Sequence, residues 1–167
     1  MANLRKAIFF DRDGVLNKEK KDYVKTISEL EIFPSIVEPI KKFNKKGFLI
    51  VVITNQSAIN RGLTTEQNVS DIHAQIQEFL KKNGAHIDSF YYCPHKPDES
   101  CMCRKPKPGL ILKAANDLKI NLKTSWLIGD NETDIQAATA AGCKSFKINS
   151  SSELEDITQK ILDLDIA

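Results

Sequence analysis

The sequence has no long hydrophobic run and no dominant charge, and each absence closes off a class of function. Its first apolar stretch, Ala7 to Phe10, is far too short for a secretory core segment or a membrane span. The chain is therefore expected in the cytoplasm, without membrane contact. The 24 Lys and Arg are interspersed with 22 Asp and Glu, leaving a net charge of +2. A duplex-binding module carries a strongly basic face, so nucleic acid is not an expected partner. Internal repeats, low-complexity tracts and linkers are also missing, and 167 residues suffice for one core but not for two independent ones. A single domain over 1–167 is expected. No long exposed apolar segment demands a subunit, which favours a monomer. Cysteine is scarce, four in all, yet three of them crowd between Cys93 and Cys103. Cys143 stands alone and reads as a small buried hydrophobe.

Apolar runs alternate with longer amphipathic stretches, the pattern of βα units feeding a parallel sheet. Ala7 to Phe10, Phe48 to Ile53 and Ser125 to Ile128 are apolar on both faces, as strands covered by helices on either side would be. Ile87 to Tyr92 and Lys144 to Ile148 read as further strands. Helices are predicted over Ser35 to Lys46, Thr65 to Lys82, Pro108 to Leu118, Asp130 to Ala141 and Leu154 to Leu164, with Gly47 and Gly142 as stops. The fold class this implies is α/β, a Rossmann-like doubly wound and mainly parallel sheet. No insertion large enough for a separate cap domain follows Gly14 or the second strand, so loops must shape any cleft.

Polar clusters follow three of these strands: Asp11-Arg12-Asp13-Gly14, Thr54-Asn55-Gln56-Ser57 and Gly129-Asp130. The crevice beyond the carboxyl ends of parallel strands is where such sheets bind ligands, so distant segments converge on one site. Asp11 and Asp13 lie close enough to repel, and ionising both calls for a cation. With Asp130 they make a hard oxygen site suited to Mg²⁺. A carboxylate there can attack phosphorus, and a second can protonate the leaving oxygen and then deprotonate water. Asp11 is assigned the first role and Asp13 the second. The Thr54 hydroxyl, backbone amides after the second strand and the Lys105 ammonium are candidate donors to the phosphoryl oxygens.

Cys93, His95, Cys101 and Cys103 form the Cys₃His set of a closed structural zinc site. Four protein ligands leave no position open for chemistry. The zinc would instead brace a polar loop, and so place Arg104 and Lys105 against the phosphate. His73 and His86 lack such partners and read as surface or packing residues.

Asp11 to Asn17, Thr54 to Ser57, Arg104-Lys105-Pro106 and Gly129-Asp130 with Asp134 resemble, in order, the four motifs of the haloacid dehalogenase superfamily. Within it they are similar to the branch holding the heptose-bisphosphate and histidinol-phosphate phosphatases, whose zinc loop is part of the resemblance. The resemblance implies magnesium at Asp11, Asp130 and the backbone carbonyl of Asp13, with Asp134 supporting. Tyr23-Val24, Ser57 to Gly62 and Arg104 to Gly109 look more like the heptose-bisphosphate side. The compact zinc loop leaves the choice open.

The expected partner is a small phosphate ester, met by Asn55, Gln56, Ser57 and Arg104. Lys20 and Lys21 are suppliers of a second cationic contact, unless they are a solvated charge run. A histidinol phosphate would need a carboxylate for its amine, which Glu19 or Asp98 offers. From other classes, a phospho-acceptor switch and a zinc-stabilised binding module remain, each without turnover.

Overall fold

The computed structural model describes residues 3–166. Five parallel strands form one sheet in the order β3-β2-β1-β4-β5. They are β1 (Ala7–Phe10), β2 (Leu49–Asn55), β3 (Ser89–Cys93), β4 (Trp126–Gly129) and β5 (Lys144–Lys147). The helices are α1 (Val37–Lys45), α2 (Glu66–Lys82), α3 (Gly109–Leu118), α4 (Glu132–Ala141) and α5 (Leu154–Ile166).

Strand side chains alternate between faces, and the sheet divides its core accordingly. Ile8, Phe10, Ile50 and Val52 pack with residues of α1, α2 and α5. Ala7, Phe9, Leu49, Val51 and Ile53 pack with Leu110, Ile111 and Ala114 of α3 and Ala137 and Ala138 of α4. β1 is buried throughout because it lies centrally, paired on both edges and covered on both faces. The outer strand β5 is exposed at Lys144 and Lys147, and charge at such an edge discourages further strand pairing.

The strand and helix order follows the sequence pattern, with shifted boundaries. The helix expected from Ser35 begins as a 3-10 turn at Pro34–Ile36 before α1. The helix expected from Asp130 begins at Glu132, because Asn131 is its N-cap and closes a capping box with Asp134. Asp130 is thereby left in the strand-to-helix turn. The strand expected from Ile87 starts at Ser89, after Asp88 has taken the Ile50 amide on its carboxylate at 2.8 Å.

Candidate active site

The turns after β1, β2 and β4 meet at the carboxyl edge of the sheet. β1 pairs with β2 and β4 through Phe10↔Val52 and Phe10↔Ile128, so Asp11, Thr54 and Asp130 emerge side by side. After β1 the chain folds back at once: the Arg12 carbonyl accepts from the amides of Val15, Leu16 and Asn17, and the Gly14 amide donates to the Asn17 carbonyl. Gly14 has φ +88°, and a Cβ there would stand 2.0 Å from Asp130 Oδ2. Gly14→Ala therefore both strains the backbone and displaces Asp130. It should weaken divalent-cation binding at these carboxylates at least ~10-fold, read by direct Mg²⁺ titration; an unchanged affinity would contradict this packing.

Asp11, Asp130 and Asp134 each offer a carboxylate oxygen, and these atoms lie within 4.8 Å of one another. Among them sits Lys105, whose Nζ donates to Asp11 Oδ1 at 2.8 Å and to the Ile53 carbonyl at 2.9 Å, and lies 2.6 Å from Asp134 Oδ1. Lys105 and Asp134 are fully buried and Asp11 nearly so. Burial pushes the Asp11 carboxyl well above the usual carboxylate range, with Lys105 pulling the other way and Asp134 and Asp13 adding to the rise. For Lys105, burial opposes the charge, but Asp11 and Asp134 outweigh it and raise its pKa. Burial and the neighbouring Asp134 leave Asp130 raised as well. So many carboxylates around one ammonium leave negative charge uncompensated, and a close oxygen-lined cluster suits a hard divalent cation.

Asp13 has a separate set of partners. Arg12 Nη2 donates to both its oxygens at 2.9 and 3.2 Å, Asn17 Nδ2 at 2.9 Å and Gln56 Nε2 at 2.9 Å. Burial alone would raise its pKa; the Arg12 charge and these hydrogen bonds outweigh it, and the net shift is downward. Arg12 is wholly buried and reaches His73 Nε2 at 3.2 Å. Burial and then the adjacent Arg12 lower His73 from its ordinary 6.5 to about 3. Between those values the unfolded chain binds a proton that the folded one refuses. The contribution is present above pH 6.5 and is lost as pH falls toward 3, with a slope of about 1.4 kcal/mol per pH unit. His73→Gln should flatten the fall in stability between pH 6.5 and 5, measured by urea unfolding; an unchanged slope would show that His73 is not held neutral.

The strand expected to stop at Ile53 runs on to Asn55, and the residues at its end and just beyond have tasks that sequence alone did not assign. Thr54 Oγ1 accepts from Gln56 Nε2 at 2.9 Å and donates to the Asn55 carbonyl at 3.4 Å. Asn55 pairs twice with the Lys105 backbone, at 3.0 and 3.2 Å, and fixes the start of the lysine side chain. The Gln56 amide donates to the Cys93 carbonyl. Ser57 Oγ accepts from Arg61 Nε at 3.3 Å.

Above this floor lies a cavity of about 320 Å³, whose lining includes Asp11, Asp13, Lys105 and Ser57. Lys20, Lys21, Arg61 and Arg104 give it a cationic wall, and Glu19 contributes a carboxylate. Lys20 and Lys21 thus reach the cleft. Tyr23, at φ +71°, holds its ring 6.0 Å from the Arg61 guanidinium carbon. Asn60 Nδ2 bridges both Glu99 oxygens at 3.1 Å, tying this wall to the cysteine loop.

In that loop Cys93 ends β3, and Cys93, His95, Cys101 and Cys103 bring their ligand atoms within 4.8 Å of one another. Cys93 Sγ is 3.3 Å from His95 Nδ1 and 3.8 Å from Cys101 Sγ, and His95 Nδ1 is 3.2 Å from Cys103 Sγ. Cys93 and Cys103 bring their sulfurs to 2.9 Å, closer than the roughly 3.8 Å that two ~2.3 Å bonds to tetrahedral zinc set, so the Cys₃His donor set fits that ion and these two thiols must part to hold it. Arg104, next in the chain, donates to the His95 carbonyl at 3.2 Å.

A parallel sheet presenting aspartates and a buried lysine at its carboxyl edge suits phosphoryl transfer. Residues 6–160 match the family model described as polynucleotide kinase 3 phosphatase. A relative from Helicobacter pylori is 42% identical over 144 residues, covering 86% of this chain and 83% of its own. One from Pseudomonas aeruginosa is 37% identical over 140 residues, covering 84% and 79%. Both are named D-glycero-beta-D-manno-heptose-1,7-bisphosphate 7-phosphatase. The crystal structure of D,D-heptose 1.7-bisphosphate phosphatase from B. bronchiseptica, complexed with magnesium and phosphate, superposes with a TM-score of 0.88 at 29% identity. That match covers 95% of this chain and 99% of the other. The chain belongs to the polynucleotide kinase 3 phosphatase family of the haloacid dehalogenase superfamily. Among the described residues no helix is long and apolar enough to cross a membrane.

Proposed function

We propose that the protein hydrolyses the 7-phosphate of D-glycero-D-manno-heptose 1,7-bisphosphate through an aspartyl-phosphate on Asp11, as a cytoplasmic monomer with one catalytic domain over 1–167. The observation that carries the chemistry is Asp11 itself, on the floor of a cationic cavity with its carboxylate 2.8 Å from the buried Lys105 ammonium. The curated relatives' names carry the choice of ester.

In the first step an Asp11 oxygen attacks phosphorus and the bond to the sugar oxygen breaks, that oxygen taking its proton from Asp13. Arg12 favours the ionised form of Asp13, and the incoming phosphate anion counters this by raising its proton affinity. In the second step ionised Asp13 takes a proton from water, whose oxygen attacks phosphorus and releases Asp11. Lys105 offsets charge on the phosphoryl oxygens throughout, held in place by Asp134 and by Asn55 on its backbone. Magnesium, when bound by Asp11, Asp130 and the Asp13 carbonyl, neutralises phosphoryl charge and so permits an anionic nucleophile to approach an anionic ester. Arg104, Lys20 and Lys21 meet the phosphate that is not cleaved.

Structural zinc at Cys93, His95, Cys101 and Cys103 braces the wall that carries Arg104. Cys101→Ser should bind less zinc and melt at a lower temperature, with KM for the ester raised more than kcat is lowered. A variant with full zinc content by elemental analysis would remove Cys101 from the ligand set.

The substrate is tested by comparing kcat/KM for both anomers of the heptose bisphosphate with histidinol phosphate and a 3′-phosphorylated oligonucleotide. A large advantage for a heptose bisphosphate is expected. Preference for histidinol phosphate or for the oligonucleotide would move the substrate while leaving the mechanism in place, and turnover of none would remove both.

A further inference from the structure

The cavity accounts for the positions of Asp11, Lys105 and Asp134, but not for a fully buried arginine between the two aspartates. Arg12 has no exposed surface, and its guanidinium lies between two groups. On one side Nη2 spans both oxygens of Asp13 at 2.9 and 3.2 Å, and Nε reaches Oδ1 at 3.3 Å. On the other side Nη1 lies 3.2 Å from Nε2 of His73, which is buried in the middle of α2. A guanidinium can only donate, so Nε2 must be the bare nitrogen and the proton of the neutral ring must sit on Nδ1. The ring is fixed in turn: it stacks on Phe90 of β3, centroids 4.5 Å apart and planes 11° from parallel.

We propose that His73 and Arg12 are positioning residues for Asp13, with His73 holding the far side of the guanidinium so that its near side keeps the carboxylate aimed at the leaving-group oxygen. Neither touches the ester. A helix outside the catalytic turns thereby controls the aim of one of the two aspartates. Simple charge neutralisation accounts for less, because an Arg–Asp pair would satisfy it without a second acceptor whose plane is set by an aromatic stack. Without the His73 nitrogen, Nη1 is left buried and unpartnered, and the guanidinium must rotate to find another acceptor. Asn17 and Gln56 then hold Asp13 by single hydrogen bonds without the grip of Arg12 on both oxygens, and a displacement of about 1 Å is enough to spoil a proton transfer.

The inference rests on Asp13 being the general acid, and a leaving-group comparison separates the two claims. kcat/KM is measured for the heptose bisphosphate, whose alkoxide needs a proton to depart, and for p-nitrophenyl phosphate, whose phenolate does not. It includes phosphoryl transfer to Asp11 but not the later breakdown, so Asp13's role as base does not enter. Asp13→Asn should lose at least ~100-fold on the sugar ester and much less on the aryl ester. His73→Phe keeps the stack and removes the acceptor; it should lose about tenfold on the sugar ester and less than about twofold on the aryl ester. His73→Gln, which restores an acceptor oxygen, should recover most of that loss. Arg12→Lys keeps the charge without the fork and should reproduce the selective loss even if His73→Phe does not fold. Equal losses on both esters in His73→Phe and Arg12→Lys, beside a selective loss in Asp13→Asn, would overturn the positioning role and leave the acid assignment standing. An unselective Asp13→Asn would overturn both.

Discussion

Asp11→Asn should fold normally and lose turnover by roughly four orders of magnitude or more, the cost of removing the proposed nucleophile whose partners then have nothing to assist. The substitution keeps the shape of the side chain and an oxygen that can accept from Lys105 Nζ and from the Arg12 amide, which lie 2.8 and 2.9 Å from Asp11 Oδ1. What it removes is the charge. Burial already disfavours that charge in the metal-free protein, where the Asp11 carboxyl is raised well above its ordinary value. The variant's melting temperature should therefore match or exceed that of the parent when both are metal-free. Loss of turnover together with loss of stability would mean that Asp11 acts as structure. Retained turnover above about a hundredth of the parent's would exclude it as nucleophile.

Lys105→Met has the opposite profile and should damage stability and turnover together. The ammonium is surrounded by Asp11, Asp134 and the Ile53 carbonyl, with almost no access to water. Its removal leaves two buried carboxylates without their cation, and breaking such a pair from one side costs about 3–5 kcal/mol. Part of that cost should be recovered by adding Mg²⁺, whose charge would fall on Asp11 and close beside Asp134, and urea unfolding with and without the ion reads the difference. Turnover should fall by about 10²–10³-fold even with saturating Mg²⁺, because one fixed donor to the phosphoryl group is gone. A metal-free variant as stable as the parent would contradict the observed arrangement of charges.

The parts of this site legible in sequence are those fixed by position along a strand. Asp11, Thr54 and Asp130 each follow an apolar run, and parallel pairing brings the ends of such runs together whatever the intervening loops do. The cysteines are legible because three thiols and an imidazole so close along the chain suit a metal ion far better than they suit a disulfide or a packed core. Lys105 is legible only through its neighbours, since nothing local says that a lysine after a cysteine loop is buried. Arg12 is not legible. An arginine flanked by two aspartates reads as one more solvated charge, and its burial depends on His73, 61 residues away on a helix whose own pattern shows only which face is covered.

Helix and strand limits moved where side chains compete for backbone groups. Asn131 and Asp134 cap α4 two residues later than the periodicity implies, and Asp88 delays the start of β3. Side-chain contacts at the end of β2 were hidden for a related reason. Periodicity places Thr54, Asn55 and Gln56 at the site, but each side chain bonds to whatever the other strands and the cysteine loop bring alongside it.

Borohydride trapping tests the proposed covalent phosphoryl group on Asp11 most directly. Borohydride reduces an acyl phosphate to an alcohol, so an aspartyl-phosphate becomes homoserine at the position that carried it. Protein quenched with borohydride while it turns over the heptose bisphosphate with Mg²⁺ should contain homoserine at position 11, located by peptide mass spectrometry and missing without substrate. Homoserine at another aspartate, or none at position 11 while turnover continues, would contradict the covalent mechanism.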